Sequence, residues 1–238
     1  MKFYSTNNIN HRVSLADAIM KSLPEDNGLY VPESIPALPH SFFENIQHYS
    51  FAEIGFEIAK RFLHPDLSLS EIKNITDDAI NFPVPIVQLD DQTFILELFH
   101  GPTLAFKDVG ARFMSRTMAL LNKNENKKLT ILVATSGDTG SAVANGFYDV
   151  DGIEVIILYP SGKVSPLQEK QLTTLGKNIT ALEIKGTFDD CQRLVKQSFL
   201  DQQLNSHYRL SSANSINIAR LIPQSFYYVD AYRQLEDK

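Results

Sequence analysis

The stretch HGPTLAFKDVGARFM at 100–114 sets one lysine, Lys107, among apolar and small residues. A lysine taken out of water must be paired or must lose its charge, because desolvation disfavours the ammonium. Two readings follow: a plain lysine at a helix start, or a functional amine whose neutral form is a nucleophile. Asp108 does not settle the choice. Adjacent residues on a helix do not face each other, and a carboxylate there also favours the positive end of the helix dipole.

Three further stretches carry groups able to hold an anion. The first, TSGDTGS at 135–141, follows an apolar run and opens a helical pattern. Its small residues let backbone N–H groups point at a ligand, and the helix dipole favours negative charge there. The alternative is an ordinary turn with Ser136 or Asp138 as N-cap. Asp138 would repel an anion, so the donors would be backbone N–H groups and the hydroxyls of Ser136, Thr139 or Ser141. The second, YPSGKVSPLQ at 159–168, has Ser165, Pro166 and Gln168 spaced as a capping box with proline at the first helical position. That pattern leaves Lys163 unexplained, and the glycine needed for a nucleotide phosphate loop is absent. In the third, SSANSINIAR at 211–220, caps account for one or two of Asn214, Ser215 and Asn217. A remaining amide together with Arg220 suits a phosphate, whose geometry a guanidinium matches. There is no serine-nucleophile elbow and no zinc spacing among the six histidines, and Cys191 falls on the apolar face of a helix.

These residues need elements to position them. TFILELF at 93–99 reads as a buried strand, and Phe113, Met114, Thr117, Met118 and Leu121 recur at helical spacing, so Lys107 stands where strand and loop give way to a helix. Beyond it the pattern alternates: strands over 130–134, 153–159 and 179–184, helices over 140–148, 166–175 and 188–204. Unbroken apolar strands such as ILVA and VIILY imply burial on both faces, hence a parallel sheet with right-handed crossovers and ligands at the carboxyl ends of its strands. A final helix over 216–235 contains Pro223, expected to kink it or end its first half. Residues 1–80 differ, with helices over 13–23, 51–62 and 71–80 and a turn at Asn27-Gly28. They predict a small, mostly helical N-terminal domain, joined through the proline-containing 81–85 to a second domain over 81–238.

With 238 residues, 43% of them hydrophobic, the chain can bury one large core or two small ones. The net charge of −6 argues against a nucleic-acid partner. A single cysteine excludes an internal disulfide framework, and MKFYSTNNIN lacks the apolar run of a signal peptide. No apolar stretch is long enough for a membrane span, so a cytoplasmic location is the expectation.

Taken together, HGPTLAFKD at 100–108, ATSGDTG at 134–140, YPSGKVSPLQE at 159–169, and NSIN at 214–217 with Arg220 resemble the threonine synthase family in order and spacing, as does GLYVP at 28–32. The resemblance implies an α/β fold of the tryptophan synthase β type, with 107–215 as the smaller αβ subdomain and the C-terminal part incomplete. It implies a fold-type-II enzyme dependent on pyridoxal 5'-phosphate that converts O-phospho-L-homoserine and water into L-threonine and phosphate. Lys107 then matches the lysine that forms a Schiff base with the cofactor. Ser136, Gly137, Asp138 and Thr139 would cradle the substrate carboxylate, with Asp138 near the cofactor ring, and Lys163, Asn214, Asn217 and Arg220 are candidates for the substrate phosphate. Members of the family are longer and hold the cofactor phosphate on a glycine-rich loop not found in this sequence. The expectations that follow are that these 238 residues alone retain no pyridoxal phosphate, are inactive, and expose an apolar face near 93–99 that could support self-association. Another lyase of the same fold type, and a non-catalytic fragment, are the alternatives.

Overall fold

The computed structural model describes residues 1–236. The N-terminal segment runs β1 (Phe3–Ser5), β2 (Asn8–Val13), α1 (Leu15–Lys21), β3 (Tyr30–Pro32), α2 (His40–Glu44), α3 (Phe51–Leu63) and α4 (Leu69–Ala79). A two-stranded antiparallel ribbon, β4 (Ile86–Gln88) and β5 (Phe94–Leu96), precedes the long helix α5 (Lys107–Asn122). Then come β6 (Leu129–Ala134), α6 (Asp138–Gly146), β7 (Ile153–Pro160), α7 (Pro166–Thr173), β8 (Ile179–Ile184), α8 (Phe188–Leu200), α9 (Gln202–His207), β9 (Arg209–Ser211) and α10 (Ile218–Leu235).

The strands β8-β7-β6-β9 form one parallel sheet. Its centre is apolar on both faces, with Ile131, Val155 and Ile157 fully buried, as the unbroken hydrophobic runs require. Helices α5, α6 and α7 pack side by side, and α8 packs on β6 and β7. Capping boxes start α3 (Ser50 with Glu53), α4 (Ser68 with Glu71), α7 (Ser165 with Gln168) and α8 (Thr187 with Asp190), each satisfying N–H groups that a helix start leaves without partners.

The fold departs from the sequence expectations at several places. The N-terminal segment is not only helical: β2-β1-β3 form an antiparallel sheet. Two of those strands have three residues and the third, NINHRV, is polar and largely exposed, so no period-two pattern marks them. The stretch 93–99 shortens to Phe94–Leu96 and is not buried, with Ile95 44% and Phe99 51% exposed. The helix expected over 188–204 breaks at Asp201, whose Oδ1 accepts from the N–H groups of Gln203 (2.8 Å) and Leu204 (3.0 Å) and so starts α9. Pro223 does not end α10. The proline is buried, and the packing of α10 along α3 and α5, including an edge-to-face contact of Phe226 with Phe113 at 5.6 Å, holds the helix through it.

One apolar core continues through the N-terminal helices and the parallel sheet. Two buried polar groups join them. Helix α1 ends with carbonyls that have no partner within the helix. The Asn217 Nδ2 donates to the Ile19 carbonyl (2.8 Å) and the Ser211 Oγ to the Met20 carbonyl (2.6 Å). Asn217 also caps α10 through its Oδ1, which accepts from the Ala219 N–H (2.9 Å). Asn217→Ala removes a cap and strands a buried carbonyl together. It should lower stability by roughly 2–3 kcal/mol, read as a fall in the urea midpoint at unchanged slope.

Candidate active site

The sheet order places β6 where the chain reverses direction: it steps outward through β7 and β8, then returns to β9 on the other side of β6. Ligands of open α/β sheets collect at the carboxyl ends of strands beside such a switch point. There a cavity of about 310 Å³ is lined by Lys107, Ala134, Thr135, Ser136, Gly137, Asp138, Thr139, Gln168 and Phe188. The lysine and the 136–139 loop, far apart in sequence, therefore meet at one place.

Lys107 is the first residue of α5 and only half-buried. Its Nζ donates to the Thr139 Oγ1 at 2.5 Å and lies 5.6 Å from the centre of the Phe106 ring. Burial pushes its pKa below the ordinary lysine value, the positive charge of Arg220 pushes it further, and the Asp138 carboxylate opposes both. Asp108 does not pair with it. That carboxylate is buried and accepts from the Thr103 N–H (2.9 Å) and the Thr103 hydroxyl, which folds the 100–106 loop back onto α5.

The loop before α6 is held from within by Thr135. Its Oγ1 accepts from the N–H groups of Gly137 (3.2 Å) and Gly140 (2.9 Å) and donates to the Gly137 carbonyl (3.0 Å). At a helix start the N–H groups of the first turn have no partner in the helix, and Asp138 and Thr139, the first two residues of α6, line the cavity. The Asp138 Oδ1 accepts from the Gln168 Nε2 (2.7 Å), and the Gln168 Oε1 accepts from the Ser165 hydroxyl (3.1 Å). The capping box of α7 therefore also holds a residue of the 136–139 loop.

The phosphate candidates lie in different settings. Lys163 is exposed in the β7–α7 loop and does not line the cavity. Asn214 lines a neighbouring cavity of about 290 Å³ that shares Thr139 and Phe188 with the first, and its Oδ1 accepts from the Ile216 N–H (3.3 Å). Asn217 is fully buried with both ends of its amide engaged. Arg220 is 1% exposed, packed between α10 and α5. Its Nη1 donates to the Ala213 carbonyl (3.3 Å) and its Nε has no hydrogen-bond partner. Thr135, Gln168 and Phe188 line the site without having been singled out for it from the sequence. Gln168 had a visible signal in its capping box; the contact of Phe188 depends on how α8 crosses the sheet, which no local pattern reveals.

Among the described residues no cluster of His, Cys, Asp and Glu could hold a metal ion, and no helix is long and apolar enough to cross a membrane. An amine with lowered pKa, facing hydroxyls and a helix N-terminus, instead fits a group that carries a carbonyl and negative charge. The chain belongs to the pyridoxal-phosphate dependent enzyme family, whose model matches residues 81–231. Residues 2–80 match the model described as "Threonine synthase N terminus". Over its whole length the chain is 44% identical to the threonine synthase of Buchnera aphidicola subsp. Acyrthosiphon pisum, covering 56% of it. The crystal structure of threonine synthase from Escherichia coli superposes with a TM-score of 0.88 at 42% identity, over 99% of this chain and 54% of that one. The PLP-bound threonine synthase from Brucella melitensis gives 0.93 at 37%, over 99% and 52%. The chain thus spans about half the length of the threonine synthases it matches.

Gly140 is the residue the loop geometry constrains most. A Cβ there would lie 2.3 Å from the Thr135 Cγ2 and 2.7 Å from its Oγ1. Gly140→Ala should therefore push Thr135 off the helix start, costing roughly 1–3 kcal/mol as overpacking does. Chemical denaturation of the variant beside the parent checks it.

Proposed function

We propose that this chain supplies the reacting amine and the substrate-carboxylate loop of a threonine synthase, which converts O-phospho-L-homoserine and water into L-threonine and phosphate. The observation that carries the proposal is the Lys107 amine, 2.5 Å from the Thr139 hydroxyl, in the lining of one cavity together with the start of α6. Lys107 would hold pyridoxal phosphate through its Nζ, with Asp138 beside the ring. When bound, that cofactor supplies a ring that accepts electrons from the substrate carbons.

The protein's own groups do the rest. Burial and Arg220 lower the cost of a neutral Lys107, so its Nζ is placed to take up and return protons at substrate carbons. Ser136, Gly137, Asp138 and Thr139 orient the substrate carboxylate through the helix-start N–H groups and two hydroxyls. Gln168 fixes the Asp138 carboxylate so that it stays clear of that anion. Lys163 and Asn214 are assigned to the substrate phosphate. Asn217 and Arg220 steady the loop that carries Asn214: the Asn217 N–H donates to the Asn214 carbonyl (3.1 Å) and Arg220 to that of Ala213.

Residues 1–238 taken alone are assigned no turnover and no retained cofactor. Supporting this, the threonine synthases they match are about twice as long, and Lys107 is the one residue proposed to bind the cofactor covalently. A link through a single amine is reversible in water.

Borohydride reduction of the full-length enzyme loaded with pyridoxal phosphate should fix the label on the peptide containing Lys107, and a label on another lysine would refute the assignment. Lys107→Ala should abolish turnover and leave the thermal midpoint within a few degrees, since a half-exposed side chain contributes little packing. For the 238-residue chain, titration with pyridoxal phosphate should give no saturable change in visible absorbance; stoichiometric binding with turnover would show the site to be complete without further residues.

A further inference from the structure

Arg220 is the only fully buried basic side chain among the described residues, and it forms no ion pair within 4 Å among them. Enclosing an unpaired guanidinium is costly, so its position calls for a physical account. A Cβ at Gly110 would lie 3.1 Å from the Arg220 Nε, so the guanidinium stem lies against α5 with no side chain between them. Gly110 is three residues beyond Lys107, and positions three apart share a helix face. The buried cation therefore lies on the Lys107 side of α5, one turn along.

The other groups around Lys107 are few. Asp138 on α6 carries the opposing charge, and the Asp108 carboxylate is turned to Thr103. On α10 the Tyr227 hydroxyl donates to the Phe106 carbonyl (2.7 Å), and burial raises its pKa so that it is neutral. Gln168 on α7 and Phe188 on α8 are uncharged. Burial lowers the Arg220 pKa only to about 10, so it stays a cation at neutral pH, whereas a lysine in its place would give up its proton more readily.

We propose that Arg220 is a positioning residue that acts through Lys107: its fixed, enclosed charge, lying against α5 on the same side one turn along, favours the nucleophilic free-amine form of Lys107 before any ligand arrives. This role rests on Lys107 being the reacting amine, but it concerns an equilibrium present in the cofactor-free chain. It also differs from a phosphate clamp, which would leave that equilibrium alone.

The test is competitive acetylation of the cofactor-free 238-residue protein by acetic anhydride from roughly pH 7 to pH 11, around the lysine range. The Lys107 peptide is followed by mass spectrometry, with exposed Lys163 as internal reference. In Arg220→Gln, which keeps a polar side chain and removes the charge, the Lys107 midpoint should move to higher pH. Arg220→Met, which keeps the stem and removes the charge, is the second variant should the first not fold, and circular dichroism identifies the folded one. An unchanged Lys107 midpoint in a folded neutral variant overturns the proposal. Failure of the borohydride label to reach Lys107 would instead overturn the cofactor assignment and leave this result standing.

Discussion

The structure turns on a lysine held at the edge of solvent between a carboxylate and a buried guanidinium. Lys107 can lie there because α5 begins where the 100–106 loop folds back, and that loop is fixed by Asp108 accepting from both donors of Thr103. On the far side, α6 begins at Asp138 because Thr135 takes over the N–H groups of Gly137 and Gly140. The lysine and its Thr139 partner are thus carried by two helix starts, each set by a single polar side chain. Rigid elements on both sides of a reacting group are what give it a defined geometry.

Helix α10 packs behind α5, and the N-terminal segment helps hold it there. Asn217 and Ser211 bond the last carbonyls of α1, and Gln234 near the end of the helix donates to the Val84 carbonyl (2.8 Å) and accepts from the Ile86 N–H (2.9 Å). Along its middle α10 packs on α3 and α5. Arg220 is buried by this packing, with a hydrogen bond from its guanidinium to the Ala213 carbonyl. The small N-terminal elements thereby help hold the helix that carries Arg220.

Much of this was legible in the sequence because it rests on local signals. The parallel sheet followed from the apolar runs of β6 and β7, and the start of α7 from Ser165-Pro166 with Gln168; Lys107 and the 136–139 loop stood out as candidates by charge and glycine placement, and the fold brings them together. Other features were not legible because they arise from tertiary contacts. Strands of three residues such as β1, β3 and β9 have too few positions to show a period, and they exist because a neighbouring strand pairs with them. Asp201 could be a helical residue or a cap, and only the turn of the chain into β9 decides it. Gln168 reads completely as a cap, which hides its second bond to Asp138. Arg220 reads in the sequence as a guanidinium suited to phosphate; its burial depends on Gly110, on a different helix, having no side chain, which no local pattern reveals.

The central claim is that the fold by itself, without ligand, keeps the Lys107 amine more readily neutral than a lysine in water. Heteronuclear NMR of the Lys107 Nζ group in the ligand-free protein, titrated with pH, measures this directly. The account predicts a midpoint clearly below about 10.4, the value of an unperturbed lysine. A midpoint at or above that value would show that Asp138 outweighs burial and Arg220 together, and would contradict the account.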